Sequence, residues 1–204
     1  MLTFDADKHE YRWNGSSVPS VTQVLEDVGV VDYSFIPHEN REVALHRGSM
    51  VHLACQLYDE RDLVESSIDP AIVPYLEAWK KFLSETGAII ETDEIERRFY
   101  NERWGYAGTR DRRVKIGGLR KVLDIKTNQA PNWVRMQLAA YCEFERFPGI
   151  TDRMAVELHG DKTYRVVNIS AKQHTQDFND FCCCLRTYQL KRESNPRKQE
   201  RRAA

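Results

Sequence analysis

The spacing of hydrophobic and polar residues changes along the chain, and each change predicts a different kind of element. The opening stretch TFDADKHEYRWNGSSVPSV alternates with a period of two and contains Asn14-Gly15, which predicts a β-hairpin turning at that dipeptide. Ser20 with a glutamine three residues later predicts a capping box at a helix start. Helical spacing runs from about Pro37 to Asp59, with a predicted break at Arg47-Gly48-Ser49, where Ser49 would cap a second helix.

The middle of the chain switches from helical to strand spacing. DPAIVPYLEAWKKFLSETG predicts a helix with Asp69 as its cap, Pro70 at its first position and Gly87 at its end. A period of two then predicts three strands, AIIETDEIERRFYN, WGYAGTRDRRVKI and LRKVLDIKT. The last two of these strands are joined by a predicted turn at Gly117-Gly118.

The remaining third returns to helical spacing and then to strands. A helix is predicted from Asn132 to Phe147, ended by Pro148-Gly149. RMAVELH and TYRVVNIS predict a hairpin turning around Gly160-Asp161, and a last helix follows from about Ala171 to Glu193. Because helices and strands are interleaved in this order, the pattern predicts an α/β domain around a mixed sheet.

Length and composition bear on domain number and location. Residues 1–194 are predicted to form a single domain, and residues 195–204 a polar, disordered tail. The chain has no run of about 18 apolar residues, so neither a membrane span nor a membrane partner is expected. Its N-terminal stretch lacks the basic and apolar regions of a secretory signal. With five cysteines, an odd number, the predicted location is the reducing cytoplasm.

Charge is unevenly distributed although the net charge is −1. The segment from Arg97 to Arg135 contains eleven Lys and Arg against three Asp and Glu, whereas Gln56 to Glu96 contains three against eleven. From Arg186 to Arg202 there are seven basic residues against two acidic ones. Basic segments flanking an acidic one are typical of a protein that meets a polyanion on one face. Charge alone allows equally a set of solvated hairpin and tail charges.

Two charged residues interrupt the otherwise apolar strand VLDIKT. Asp124 and Lys126 share one face, because side chains two apart on a strand point the same way. If this strand pairs antiparallel with the preceding one, Asp111 lies near Asp124 at the same end of the hairpin. Neighbouring carboxylates repel unless a cation lies between them, and oxygen ligands suit Mg²⁺ or Mn²⁺. Lys126 would position or deprotonate a water there, which suits phosphodiester hydrolysis.

The next helix adds two polar residues to this group. Gln137 and Tyr141 share a helix face and would orient the lysine, the water or a phosphate. Each residue alone also has a structural explanation. Asp111 would form an ion pair with Arg110 or Arg112, and a strand lysine commonly protects a sheet edge. The combination favours a hydrolytic site.

Five short motifs follow one another along the first 141 residues: P-S-V-T-Q-V-L, R-G-S-M-V-H, G-T-R-D, L-D-I-K-T and Q-L-A-A-Y. In this order they resemble the PD-(D/E)XK nuclease superfamily. They are most similar to its RecB-like branch, which includes phage exonucleases and CRISPR-associated adaptation nucleases. The resemblance implies an α/β fold with a restriction-endonuclease-like core, in which helices flank a central mixed β-sheet.

The resemblance also implies a role for each matching residue. Lys126 would be the catalytic base or the water-positioning group, and Gln137 and Tyr141 would be its supporting helix residues. A histidine on an amphipathic helix is otherwise more often a packed core residue than a ligand. The implied ligands of Mg²⁺ or Mn²⁺ are His52, Asp111, Asp124 and the backbone carbonyl of Ile125, with Glu96 as a candidate for a second metal or a supporting role. The alternative for Glu96 is a surface strand acid.

The candidate DNA contacts are less specific. Arg47 is a candidate phosphate contact, although it also precedes the predicted helix break. Ser20 and Thr22 would bind a terminal phosphate at a helix N-terminus or simply cap it. Arg110 and Arg112 belong to the basic hairpin, which would hold the DNA backbone without reading sequence.

The tryptophans and cysteines have both functional and structural interpretations. Trp104, in a turn of the basic segment, slightly favours stacking on an unpaired base, worth about 1–3 kcal/mol. Trp133 is expected to pack the following helix onto the sheet, and Trp79 to lie in the core. Some RecB-like nucleases hold an iron–sulfur cluster through one early and three late cysteines. Here the candidates are Cys55, Cys142 and the consecutive Cys182, Cys183 and Cys184. Consecutive helical residues point about 100° apart, so no iron–sulfur cluster is expected.

The predicted function is a metal-dependent DNA nuclease, with an exonuclease of phage or prophage recombination, replication or repair favoured. Its expected partners are DNA and a phage recombination or single-strand-binding protein. Two alternatives remain. One is a catalytically silent nuclease-fold module that binds DNA or a protein, and the other is a structure-selective endonuclease.

Overall fold

The computed structural model describes residues 1–6, 8–32, 37–144 and 152–194. The helices are α1 (Val21–Asp27), α2 (His38–Glu60), α3 (Val73–Thr86), α4 (Val134–Cys142) and α5 (His174–Glu193). The strands are β1 (Leu2–Asp5), β2 (Glu10–Trp13), β3 (Ser16–Val18), β4 (Ile89–Ile90), β5 (Arg97–Asn101), β6 (Tyr106–Arg110), β7 (Arg112–Ile116), β8 (Leu119–Lys126), β9 (Arg153–Leu158) and β10 (Tyr164–Ile169).

A five-stranded mixed sheet lies at the centre, in the order β10-β9-β8-β7-β4. Strands β8 and β9 run parallel, and the other neighbours run antiparallel. Alternate residues of β8 enter two separate cores: Val122 packs with residues of α1, α4 and α5, whereas Leu123 and Ile125 pack with residues of α2 and α3. The predicted α/β architecture, a mixed sheet flanked by helices, is confirmed.

Two of the three predicted central strands are each divided between two sheets. The stretch from Ala88 to Asn101 forms β4, a 3-10 turn at Thr92–Glu94 and β5. The next stretch forms β6 and β7, with Asp111 between them. Strands β5 and β6 pair in a separate two-stranded sheet. The chain therefore crosses between the two sheets at two points, once between β4 and β5 and once between β6 and β7. The backbone N–H of Glu96 donates to the carbonyl of Asp111 over 2.9 Å, which joins the two crossing points.

The N-terminal elements largely follow the sequence pattern. Strands β2 and β3 turn at Asn14-Gly15 as predicted, and β1 adds a third strand beside β2. The Ser20 capping box is confirmed, with its hydroxyl accepting from the Gln23 N–H over 3.1 Å. The predicted break in the next helix is wrong, because α2 is continuous. Instead of capping a helix, the Ser49 hydroxyl donates to the Leu45 carbonyl one turn earlier.

The remaining helices and turns differ from the predictions mainly at their ends. The predicted start of α3, with Asp69 as cap and Pro70 first, is wrong, because α3 begins at Val73. The Asp69 carboxylate accepts from the Ala71 N–H over 2.8 Å in the preceding turn. Gly87 ends α3 in the left-handed conformation, as predicted. The Gly117-Gly118 turn is confirmed. A 3-10 turn at Ala171–Gln173 leads into α5. The end of α4 predicted near Phe147, its Pro148-Gly149 break and the tail 195–204 lie outside the described residues. Within the described ranges no helix combines the length and hydrophobicity needed to span a membrane.

Candidate metal and catalytic site

Asp111 and Asp124 are brought to the same end of the β7–β8 hairpin, as the sequence predicted. The strand register ends with Arg112 opposite Leu123, and the two aspartates follow at the next step on either side. One carboxylate oxygen of Asp111, Oδ2, accepts the backbone N–H of Ile125 over 2.7 Å. Both carboxylates are buried, with residue exposures of 7% for Asp111 and 2% for Asp124. Their proximity therefore creates a concentration of negative charge with little access to bulk water.

His52 of α2 faces this concentration of charge. Its Nδ1 lies 3.5 Å from Asp111 Oδ2 and 3.6 Å from Glu96 Oε1, and its Nε2 lies 3.0 Å from the carbonyl oxygen of Ile125. One ligand atom each from His52, Glu96 and Asp111 lies within 4.8 Å of the other two. Helix α2, the crossing points of both divided strands and β8 thus contribute to a single polar cluster.

Asp124 faces the opposite part of the site, where Lys126 and α4 meet. Its Oδ2 lies 2.8 Å from the Lys126 ammonium nitrogen. The same ammonium donates to Gln137 Oε1 over 3.3 Å, and the Gln137 amide donates to the Tyr141 hydroxyl over 3.1 Å. The four side chains form one continuous polar chain, which agrees with their predicted grouping.

The pKa values in the site reflect burial and mutual charge. Burial raises the pKa of Asp124 to about 6, with the charge of Asp111 adding to this effect and Lys126 opposing it. Burial likewise raises the pKa of Asp111, although His52 opposes the shift. Burial disfavours the His52 imidazolium, but Asp111 and Glu96 outweigh it and raise the pKa of His52 to about 9. The His52 shift therefore reflects the neighbouring negative charge, whereas the two aspartate shifts reflect burial first.

The donor set fits a hard divalent cation. Carboxylate and carbonyl oxygens with one imidazole nitrogen suit Mg²⁺ or Mn²⁺, and the clustered acids require a positive charge between them. The basic side chains next to these acids are Lys126 beside Asp124, Arg112 beside Glu96, and His52, whose pKa is raised. The group of three with mutually close ligand atoms includes Glu96, which the sequence ranked below Asp124 as a ligand candidate.

Arg110 and Arg112 do not have the placement predicted for DNA contacts. Both side chains are fully buried. Arg110 pairs with buried Glu94 and lies over the Phe99 ring, 4.7 Å from its centroid. The Arg112 side chain donates to Asp59 over 2.7 Å, to Glu96 over 3.0 Å and to the carbonyl of Asp111 over 2.6 Å. Phosphates cannot reach guanidinium groups held in this way. Arg112 instead supports Glu96 and the backbone of Asp111, and Arg110 neutralises Glu94.

The other candidate DNA contacts have mixed placements. Ser20 is buried at the start of α1, and Thr22 and Ser20 both line a cavity beside the site. Half-buried Arg47 lies over the Tyr75 ring at 5.8 Å. Trp104 packs edge-on against Phe178, with ring centroids 5.6 Å apart, which uses the ring in packing.

The remaining tryptophans and the cysteines belong mostly to packing. Trp79 is fully buried, as predicted, and its indole N–H donates to Asp59 over 2.9 Å. Trp133 packs against the core as expected, and its ring also lies 5.3 Å from the Lys126 ammonium. Cys55 and Cys142 are buried, Cys183 is exposed, and Cys182 and Cys184 pack partly against the core.

Sequence reasoning missed two acids and one glycine that build the site. Asp59 and Glu94 are buried partners of Arg112 and Arg110, and nothing in their sequence surroundings distinguishes them from surface acids. At Gly108 an added Cβ would lie 2.8 Å from Cε1 of Tyr141. The motif G-T-R-D contained this glycine, but only the structure shows that it provides room for the tyrosine ring.

Comparisons with known proteins give distant structural similarities. No protein-family model and no curated protein matches the chain. An alkaline exonuclease, LHK-Exo, from Laribacter hongkongensis is similar with a TM-score of 0.40 and 14% identity, over 89% of this chain and 93% of that one. LHK-Exo in complex with dAMP is similar with a TM-score of 0.39 and 14% identity, over 90% of this chain and 94% of that one. SSO0001 is similar with a TM-score of 0.30 and 17% identity, over 79% of this chain and 82% of that one.

Proposed function

We propose that this protein is a Mg²⁺- or Mn²⁺-dependent DNA nuclease with the restriction-endonuclease-like core of the PD-(D/E)XK superfamily. One observation carries the proposal: His52, Glu96 and Asp111 bring ligand atoms within 4.8 Å of one another, beside the backbone carbonyl of Ile125. Buried Asp124, paired with Lys126, follows at the next step of the same hairpin. Oxygen and imidazole donors next to an ammonium group are the requirements of metal-assisted phosphodiester hydrolysis.

In this proposal the acidic cluster, which consists of Glu96, Asp111 and Asp124, holds the metal together with His52. His52, Asp111, Asp124 and the carbonyl of Ile125 are the ligands, and Glu96 is a further ligand or a support for His52. When bound, the metal acidifies a water and neutralises charge on the phosphate. Asp111 is held in place by the Ile125 N–H, and Arg112 fixes Glu96 and the Asp111 backbone, so these two acids are already arranged. Asp124, which is paired with Lys126, would turn toward the metal.

Lys126 is the proposed catalytic base, which would accept a proton from the attacking water, or the group that orients this water. Its ammonium lies between Asp124 and Gln137, and the Tyr141 hydroxyl fixes the Gln137 amide. This arrangement keeps the nitrogen beside the carboxylate that would bind the metal. A positive charge there also stabilises the negative charge that develops on the phosphate oxygens during hydrolysis.

An exonuclease of phage or prophage recombination, replication or repair remains the favoured role, with a recombination or single-strand-binding protein as partner and the cytoplasm as location. Exposed basic side chains, including Arg98 and Arg103, are available to a DNA backbone. Arg47 is a proposed phosphate contact near the N-terminal half of α2. A binding module without catalysis is the weaker alternative, because every implied catalytic side chain is present.

The proposal is tested by DNA cleavage with the purified full chain. Linear duplex, circular duplex and single-stranded DNA are incubated with Mg²⁺ or Mn²⁺, using wild type, Lys126→Ala and Lys115→Ala. Lys115 is an exposed lysine on β7, so its variant is the matched control. We expect Lys126→Ala to lose about 10²-fold or more in cleavage while still binding DNA, and Lys115→Ala to cut normally. DNA binding by wild type without cleavage in either metal would favour the binding module, and cleavage of circular DNA would favour an endonuclease.

A further inference from the structure

A cavity of about 640 Å³ adjoins the acidic cluster and leads away from it toward the N-terminal strands. Its lining includes Glu96, Asp111 and Tyr141. It also includes Phe4 of β1, His9 of the β1–β2 connection and Arg98 of β5. We propose that this cavity is a nucleobase subsite that takes the unpaired base of a nucleotide adjacent to the scissile phosphate. The inference rests on the proposed nuclease function and narrows its substrate to single-stranded or frayed DNA ends.

The wall of the cavity is built from rings that are fixed in place. Phe4 and Tyr11 are direct partners in the β1–β2 register, and their ring centroids lie 4.5 Å apart. The Tyr11 hydroxyl and the Thr109 hydroxyl share a hydrogen bond of 2.6 Å, which ties the small N-terminal sheet to β6. Tyr11 is 3% exposed, whereas Phe4 is only half-buried. The N-terminal sheet thus presents a partly open aromatic surface to a cavity that ends at the acids.

Two exposed polar groups stand at the rim of this aromatic wall. The Arg98 guanidinium carbon lies 4.7 Å from the centroid of the Phe4 ring, and exposed His9 contacts the same ring with centroids 5.2 Å apart. Bases stack on aromatic rings and on arginine guanidinium planes, and an arginine also attracts the neighbouring phosphate. The rim therefore combines the two interactions that single-stranded nucleic acid requires.

The size and position of the cavity favour an unpaired nucleotide over a duplex. A volume of about 640 Å³ falls within the range of small-molecule sites, roughly 300–1,000 Å³. A base within a duplex is stacked on both faces and paired at its edge, so it must leave the helix before a protein ring can contact it. Because Asp111 belongs both to the cavity lining and to the acidic cluster, a base held in the cavity would place its own phosphodiester beside the metal ligands.

The test measures binding of short labelled single strands to the full chain in Mg²⁺. Every protein compared, including the parent, carries Lys126→Ala to prevent cleavage. The strands carry normal nucleotides, or three abasic nucleotides at the 5′ or the 3′ end. Phe4→Ala and Arg98→Ala remove the wall and the rim, and Phe4→Trp restores a ring. Trp13→Leu is the matched control, because Trp13 belongs to the same small sheet but stacks on Tyr100 outside the cavity.

We expect Phe4→Ala to weaken binding of normal strands by about 5- to 150-fold, the range of base–aromatic stacking. The loss should fall below about twofold for one of the two abasic ends, which identifies the end that enters, and binding of a blunt duplex should not change. Phe4→Trp and Trp13→Leu should bind like the parent. Equal losses on normal and on both abasic strands would overturn the subsite, as would unchanged binding by folded Arg98→Ala and Phe4→Ala.

The outcomes for the subsite and for the nuclease are separable. If Phe4→Ala does not fold, exposed Arg98→Ala takes its place, with exposed Arg12→Ala on β2 as its control. Because abasic strands keep their phosphates, the Arg98→Ala loss should be larger on normal strands than on one abasic end without disappearing there, and equal losses on all strands would overturn the subsite. Base-dependent binding without wild-type cleavage would refute the nuclease and leave a base-binding cavity. Cleavage by wild type with base-independent binding would refute only the subsite.

Discussion

Replacement of Arg112 by methionine tests whether this arginine supports the fold from within. Its side chain is fully buried, and its partner Asp59 has a side-chain exposure of only 1%. Arg112→Met keeps much of the buried volume but leaves the Asp59 carboxylate without its cation, and it also removes the donors to Glu96 and the Asp111 carbonyl. Breaking a buried ion pair from one side typically costs about 3–5 kcal/mol. We expect the free energy of unfolding to fall by that amount.

The assay is urea unfolding followed by tryptophan fluorescence, in buffer without divalent metal. The second variant, Asp59→Asn with Arg112→Met, removes both charges and should lose less than the sum of the two single changes, with a coupling of about 0.5–3 kcal/mol. Arg12→Met is the control, because Arg12 forms an exposed pair with Glu10 and such pairs contribute about 1 kcal/mol or less. A loss of that small size for Arg112→Met would refute the structural role assigned to Arg112.

Three further predictions concern separate parts of the molecule. Gly108→Ala should lower the free energy of unfolding by about 1–3 kcal/mol and reduce cleavage, because its Cβ meets the Tyr141 ring; an unchanged melting temperature would contradict this. His52→Ala should weaken Mn²⁺ binding by about tenfold or more in calorimetry, and wild-type affinity would remove His52 from the ligand set. The pKa of Glu157 is lowered below 4.5. Burial alone would raise this pKa, but hydrogen bonds from Arg165 and the Ala130 N–H outweigh it. A carboxyl group whose pKa is lowered on folding stabilises the fold at pH values above its unfolded-state pKa. This stabilisation is lost as the pH falls through the folded-state pKa. Glu157→Gln should therefore lose less stability than wild type when urea unfolding is compared at about pH 6 and about pH 3.5, and parallel losses would contradict this.

The sequence predicted the parts of the fold that depend on local periodicity and turn chemistry. The Asn14-Gly15 and Gly117-Gly118 turns, the Ser20 capping box and the glycine end of α3 all form as expected, because each is decided by neighbouring residues. The division of the strands at Asp111 was not predictable in this way. The residues on both sides of Asp111 keep the same alternation, and only pairing with β5 on one side and β8 on the other separates them.

The candidate site shows the same division between local and tertiary information. The spacing of Asp124 and Lys126, and the hairpin register that brings Asp111 beside Asp124, followed from strand geometry. The burial of Arg110 and Arg112 did not, because their acidic partners come from α2 and from the turn before β5. A basic run in the sequence therefore does not distinguish arginines that face DNA from arginines that neutralise buried acids.

The most direct test of the central claim is a crystal soaked in Mn²⁺ and measured for anomalous scattering. We expect a peak within coordination distance, about 2.0–2.3 Å, of a His52 nitrogen and an Asp111 oxygen. The Asp124 carboxylate would turn toward the same ion and Lys126 would remain beside it. If saturating Mn²⁺ gives a peak only elsewhere on the molecule, and His52 stays bonded to the Ile125 carbonyl, these side chains do not form a metal site.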